Sequence, residues 1–373
     1  MVDVKEVTTK KMQKEFLNFP NILYKDNYYY VPPLMSEEKK IFDKNYYYYE
    51  GSEAVYFNAY RDDKIVGRIS CIIQHQANKK NNEKRVRFTR FDVINDLEVA
   101  KALLDKAEEW SKSKGMDTIC GPLGFSDLER LGMLVKGFRE YATYEEAYNY
   151  SYYPELIEQL GYTKEVDWLE FKLFAPDKVD EKLVRLANRA KERYGLHEIK
   201  ITNLNKFLDK YKEQIFEVLD QCYDKLYGTV PFTKGMINNM VAQFKLVLKP
   251  EYLIAVADKD DNVVAFGVGL PSLAEAVRKS KGKLTPAGIV RLLKAIKHPI
   301  VADCAVVGIR PDMQGSGIAA ILFERMIRFM VDNNFEHLET NFCLENNTKI
   351  QQIWQLFERE QHKIRRSYMK KLV

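Results

Sequence analysis

Apolar residues recur every three or four positions in two long runs, VAKALLDKAEEWSKSKG (residues 99–115) and IAAILFERMIRFMVDNN (residues 318–334). That period predicts two amphipathic helices, each with one face turned to a core. Upstream of each, two apolar runs flank a charged turn: AVYFNAY and IVGRISCII around Arg61-Asp62-Asp63-Lys64, and EYLIAVAD and VVAFGVGL around Lys259-Asp260-Asp261-Asn262. Asp-rich turns between β-branched runs predict hairpins. The two hairpins stand 198 residues apart, and the segments 158–173 and 357–372, each a helix end followed by a strand closing on Lys-Leu, stand 199 apart. A nearly constant offset at two places predicts a duplicated unit. Each copy should run strand, helices, hairpin, strand, helix, strand, helix, strand. The expected fold class is mixed α/β: two twisted mixed sheets flanked by helices and related by a pseudo-twofold. The expected division is 1–176, a helical linker at 177–196, and 197–373.

Composition narrows the possibilities. With 58 Lys and Arg against 53 Asp and Glu, the net charge of the 373 residues is +5. So mild an excess does not single out nucleic acid or an anionic membrane as the main partner. The five Cys are scattered with no CxxC, which argues against a disulfide framework or a zinc ribbon and fits a reducing, cytoplasmic compartment. The five His share no ligand spacing, so no metal site is expected. No apolar run is long enough to cross a bilayer.

The chemistry concentrates in ADCAVVGIRPDMQGSGIAAILF, residues 302–323. A short strand ends at Pro311, a small-residue turn follows, and a helix begins at once. Such a turn lets a ligand approach backbone amides at the positive end of a helix, which suits a phosphate or pyrophosphate. Neither a Walker A sequence nor a GxGxxG is present. Gln314-Gly315-Ser316-Gly317-Ile318-Ala319 instead fits Q/R-x-x-G-x-G/A. Here the sequence resembles the GNAT superfamily of acyl-CoA-dependent N-acyltransferases. Loop-like stretches of the first half, among them Tyr30-Val31-Pro32-Pro33-Leu34 and Gly121-Pro122-Leu123-Gly124, resemble a bacterial tandem-GNAT group that brings no substrate with it.

The resemblance implies acetyl-CoA, or another acyl-CoA, as cosubstrate, lying where the strand at 302–309 and the strand at 336–342 splay apart. Backbone groups of Val307 and Ile309 would pair with the pantetheine arm. Amides of Gln314, Gly315, Ser316, Gly317, Ile318 and Ala319 would hold the pyrophosphate, and Asn347 occupies the place of a common family Asn. Asp303 is the expected general base, Glu339 the alternative, and Tyr368 a possible phenol. The family often has a Tyr acid where this chain has Trp354, which puts that role in doubt. An ordinary packing role is the competing reading for Trp354 and for the Tyr runs at 28–30 and 46–49.

In the first half Asn95, Asp96, Leu97 and Glu98 align over the glycine turn. Two carboxylates there would repel a pyrophosphate, so this copy is expected to lack the CoA loop. The basic amphipathic insert at 272–298 is expected to be a movable helical cover over the acceptor site rather than a membrane or nucleic-acid surface. The expected activity is transfer of acetyl, or another short acyl group, to a small-molecule or peptide amine, by a monomer or homodimer without nucleic acid. The alternative is an inactive acyl-CoA-binding or sensing protein. An aminoacyl-tRNA-dependent transferase is disfavoured by the intact loop.

Overall fold

In the computed structural model, which describes residues 1–372, the first half of the chain forms β1 (Asp3–Glu6), β2 (Ser52–Arg61), β3 (Lys64–Gln74), β4 (Arg85–Val93), β5 (Thr118–Gly121), β6 (Met133–Lys136) and β7 (Thr163–Phe174). The second half forms β8 (His197–Glu198), β9 (Leu253–Ala257), β10 (Val263–Pro271), β11 (Val301–Ile309), β12 (His337–Thr340), β13 (Cys343–Leu344) and β14 (Glu358–Lys371). Both hairpins form where the Asp turns predict them. Asp62 and Asp63 take φ of 50° and 58°, the left-handed values a tight two-residue hairpin needs. In the second turn Asp258 accepts from the amides of Asp260 and Asn262.

The two expected mixed sheets flanked by helices are present, but they are not separate. One sheet runs β1-β2-β3-β4-β5-β14-β7-β12-β11-β10-β9-β8, with β6 beside β14 and β13 beside β7. Read from either end the order is the same, a pseudo-twofold through the β14/β7 pair. Among the described residues only β4/β5 and β11/β12 are parallel. The last strand of each half has crossed over: β14 pairs with β5 of the first half, and β7 with β12 of the second. The spatial halves therefore differ from the runs 1–176 and 197–373. Long β7 and β14, 12 and 14 residues, pair along nearly their whole length and weld the halves together.

Helices cover the sheet much as periodicity predicts. The first long helix spans Leu97–Ser113 and buries Val99, Leu103, Leu104 and Ala107 in the first core, where Tyr368 of the crossed-over β14 also lies. The second spans Ala319–Asp332 and packs Phe323, Met326 and Met330 with Phe171 and Leu173 of β7. The expected linker forms a helix, Glu181–Tyr194, but it is part of a core. Its Ala187 and Ala190 pack on Ile318, Ile321 and Leu322 at the start of the Ala319–Asp332 helix. The Tyr runs are mainly packing: Tyr46 and Tyr48 are buried with Ile41 and Phe125, and Tyr30 with Tyr24. The insert forms helices Ala274–Lys279 and Pro286–Lys297, whose inner side rests on Val31, Leu34, Tyr141, Ala142 and Tyr144.

Candidate active site

The sheet opens where β4 leaves β5 after Arg87 and, in the second half, where β11 leaves β12. β11 pairs with β12 only from Val301 to Cys304. On its other edge Val306 faces Val268 and Cys304 faces Gly269, so Ala305 is an extra, unopposed residue. A bulge bends a strand and ends its pairing. Here it sits where β11 leaves β12, and the expected splay is present. Val307 and Ile309 lie beyond it, yet their carbonyls already have partners. Tyr223 donates its hydroxyl to Val307 O at 3.3 Å, and Cys222 and Gln314 donate to Ile309 O at 2.9 and 3.3 Å. A ligand pairing with these carbonyls has to displace those contacts.

After β11, Pro311–Met313 makes a single 3-10 turn, and Gly315 and Gly317 take φ of 78° and 88°. A side chain at either position is strained by those angles. The space beyond the Gly315 Cα is empty, and a Cβ on Gly317 would face Ala190 Cβ at 3.8 Å. Not all six expected amides are available. Gln314 and Ser316 donate within the turn, to Pro311 O and Met313 O, whereas the amides of Gly315, Gly317, Ile318 and Ala319 find no carbonyl among the described residues. The helix that follows has no side-chain cap. Lys349, which the sequence reading passed over, donates to Gln314 Oε1 at 3.1 Å and brings a cation to this turn. Asn347 caps its own helix, accepting from the Ile350 amide at 3.4 Å. Trp354 is buried edge-on to Phe323, a core residue with no acid to offer.

The equivalent turn of the first half is closed. Asp96 caps the Leu97–Ser113 helix, accepting from the amides of Glu98 and Val99 at 2.9 and 3.3 Å. Arg61 then binds Asp96 and Glu98 at 2.7 and 2.8 Å. The carboxylates expected to repel an anion do more than that: one of them occupies the amides an anion would need.

Next to the splay lies a buried polar cluster that crosses the seam between the halves. Asp303 of β11 stands opposite Glu339 of β12, and Glu339 opposite Lys172 of β7. From β14 come Lys363 and Arg365, and from the first half's 137–149 segment comes Glu146. Lys363 Nζ lies 2.5 Å from Glu146, 2.9 Å from Glu170 and 3.9 Å from Glu339. Arg365 reaches Glu170 at 2.6 Å and Glu146 at 3.2 Å. Glu339 also meets His362 Nε2 at 2.8 Å and His337 Nε2 at 3.3 Å. All of these except Lys172 are buried.

Low-dielectric surroundings drive these acids apart. Burial raises the Glu339 carboxyl, but Lys363, His337 and His362 overcome that and hold it well below the usual range. Burial also opposes Glu146, yet Lys363 and Arg365 bring it down to about 2. Glu170 is pushed up by burial and by Glu146 despite Arg365. Asp303 is pushed well above its ordinary value by burial and then by Glu339, and its Oδ1 has no hydrogen-bond partner. The two cations thus favour the ionised forms of Glu339 and Glu146, whereas burial and neighbouring carboxylates favour the protonated forms of Asp303 and Glu170. That upward shift runs against the role of free base expected of Asp303. Tyr368 is not in this cluster: strand crossover carries it to the first core, where its hydroxyl donates to Glu158 at 2.7 Å.

Known proteins resemble this chain in sequence and fold. Residues 212–357 match the Acetyltransferase (GNAT) family. The chain is 28% identical to Protein YghO of Escherichia coli (strain K12), over 99% of this chain and 95% of that one. It is 25% identical to the Bacterial ceramide synthase of Caulobacter vibrioides, over 86% and 84%. Among solved structures, a tandem GNAT protein from the clavulanic acid biosynthesis pathway superposes over all of this chain and 99% of its own, with TM-score 0.56 at 9% identity. A GCN5-related N-acetyltransferase from Sphaerobacter thermophilus covers all of this chain and 96% of its own, with TM-score 0.51 at 11% identity. The fold and the glycine turn agree with that family match over residues 212–357, and over its whole length the chain is similar in fold to tandem GNAT proteins.

Proposed function

We propose that this protein transfers an acyl group from an acyl-CoA to an amine, with the CoA held only by the second half. The contrast between the two helix starts carries this reading: one is capped by Asp96, the other leaves four amides free over an open glycine turn. Gly315, Gly317, Ile318 and Ala319 would hold the pyrophosphate, with Lys349 adding charge. The amine nitrogen forms a bond to the thioester carbonyl carbon and the C–S bond breaks. Glu339, the ionised member of the carboxylate pair, takes a proton from nitrogen, and Asp303, the protonated member, gives one to sulfur. Transfer of a proton from Glu339 to Asp303 then resets the pair. Environments that split two neighbouring carboxyls in this way define an acid and a base.

Acetyl is the simplest acyl group. The name of the Caulobacter relative, a ceramide synthase, supports testing long chains as well, since a ceramide is an N-acylated long-chain amino alcohol. Trp354, with no titratable proton, favours the second reading, an acyl-CoA-binding protein without turnover. Calorimetry with acetyl-CoA and palmitoyl-CoA should find one site per chain, lost in Gly317→Glu. Two equal sites, or unchanged affinity in that variant, would remove the assignment. Thiol release with a panel of short and long-chain amines separates catalysis from binding alone.

A further inference from the structure

The insert at 272–298 has an outer side that nothing in the fold covers. Its inner side is satisfied: Leu292, Ala295 and Ile296 pack toward Val31 and Ala142, Arg278 stacks on Tyr28 and Tyr141, and the Met35 amide donates to Gly282 O at 2.9 Å. Along the Pro286–Lys297 helix, Ile289, Val290 and Leu293 instead point outward, Val290 64% and Leu293 60% exposed. Ile300, just past the helix, is 66% exposed, and Leu284, just before it, 47%. Residues three and four apart share a helix face, so Ile289, Val290 and Leu293 form one stripe.

Charge flanks that stripe. From 276 to 302 the chain has seven basic residues and no acid, more than the net +5 of the whole protein. Arg278 is turned inward and Lys279 pairs with Glu275. Lys281, Lys283, Arg291, Lys294 and Lys297 are exposed, and none has an acidic partner among the described residues. An exposed apolar stripe beside unpaired lysines and arginine is the signature of a helix lying in the interface of an anionic bilayer. The near-neutral total charge hides this, because the rest of the chain balances it.

We propose that the Pro286–Lys297 helix docks the protein on an anionic membrane surface. Ile289, Val290, Leu293 and Ile300 enter the headgroup boundary and the five free basic residues meet lipid phosphates. Among the described residues no helix is long and apolar enough to span a membrane, and the proposed attachment is peripheral. The position has a consequence for the site. The insert rests on Tyr141 and Ala142, and Tyr141 O accepts from Lys363 of the buried cluster at 3.2 Å. One layer of chain separates the docked face from the carboxylates.

Flotation of the full chain with vesicles of phosphatidylglycerol and phosphatidylcholine, and with phosphatidylcholine alone, tests this. Binding should need phosphatidylglycerol and weaken as salt rises. Val290→Asp with Leu293→Asp should cut partitioning at least ~30-fold, and Lys294→Glu with Lys297→Glu at least ~10-fold, since each charge near such a surface counts for about fivefold. All four positions are exposed, so both variants should melt with the parent. No binding at low salt, or undiminished binding by the Val290→Asp, Leu293→Asp variant, overturns the proposal. So does a dimer in light scattering that the same variant dissociates, because the stripe would then be covered by a second copy. Acyl transfer is not part of the readout, so failure here leaves the proposed activity standing, and the reverse.

Discussion

Lys363→Met tests whether charge balance holds the seam together. Lys363 is fully buried and serves Glu146, Glu170 and Glu339, with Tyr141 O as a fourth contact. Removing it leaves Arg365 alone against two ionised carboxylates. Breaking a buried pair from one side costs about 3–5 kcal/mol. The protein can limit that loss by protonating one carboxyl. For a group whose ordinary value is 4.5, keeping the proton costs about 1.4 kcal/mol for each pH unit above it. The ceiling is roughly 5 kcal/mol at pH 8 and roughly 1.4 kcal/mol at pH 5.5. The sign follows from the folded value. In the variant a carboxyl titrates higher folded than unfolded, so its stabilising proton is present at low pH and lost as pH rises. Urea unfolding followed by tryptophan emission should therefore show a deficit about 3 kcal/mol larger at pH 8 than at pH 5.5. Trp168, buried near Arg365, reports on this seam. Lys363→Met with Glu146→Gln should recover much of the deficit at pH 8. A deficit equal at the two pH values, or a double variant no better than the single one, would refute the charge-balance argument and make Lys363 a packing residue.

Other outcomes follow from the same geometry. Asp303→Asn keeps a neutral group where the native one is protonated. The native Asp303 titrates higher folded than unfolded, so its stabilisation is complete at low pH and declines as pH rises; the variant should lose less stability than the parent between pH 5 and pH 8, as paired urea titrations would read. If the parent shows no such decline, Asp303 is ionised. Glu339→Gln should lower kcat by about 10²–10⁴ with acyl-CoA affinity nearly unchanged, measured by thiol release and calorimetry; equal losses in both would make Glu339 structural. Asp96→Ala should destabilise by about 1 kcal/mol through loss of the helix cap, without creating a second CoA site. A second site on calorimetry would show that the carboxylates alone kept CoA away.

The repeat, the two hairpins, both long helices and the glycine turn were legible in the chain because each rests on local chemistry. Asp-Asp turns tolerate positive φ, apolar period sets helix faces, and glycines mark close backbone approach. Asp303 and Glu339 were legible as candidates because they sit on the two splaying strands. What local sequence could not decide was the crossover of β7 and β14. Strand partners hundreds of residues apart leave no mark on a short window, and either partner buries the same apolar face. That exchange carried Tyr368 away from the site and brought Glu170 and Lys172 of β7 to it. A trace was present: charges at 170 and 172, and again at 363 and 365, alternate on strands that are buried. The protonation of Asp303 likewise belongs to the tertiary structure alone. A carboxyl's proton depends on the charges packed around it: Glu339 meets Asp303 only when β12 pairs with β11, and Glu146 only once the halves have closed.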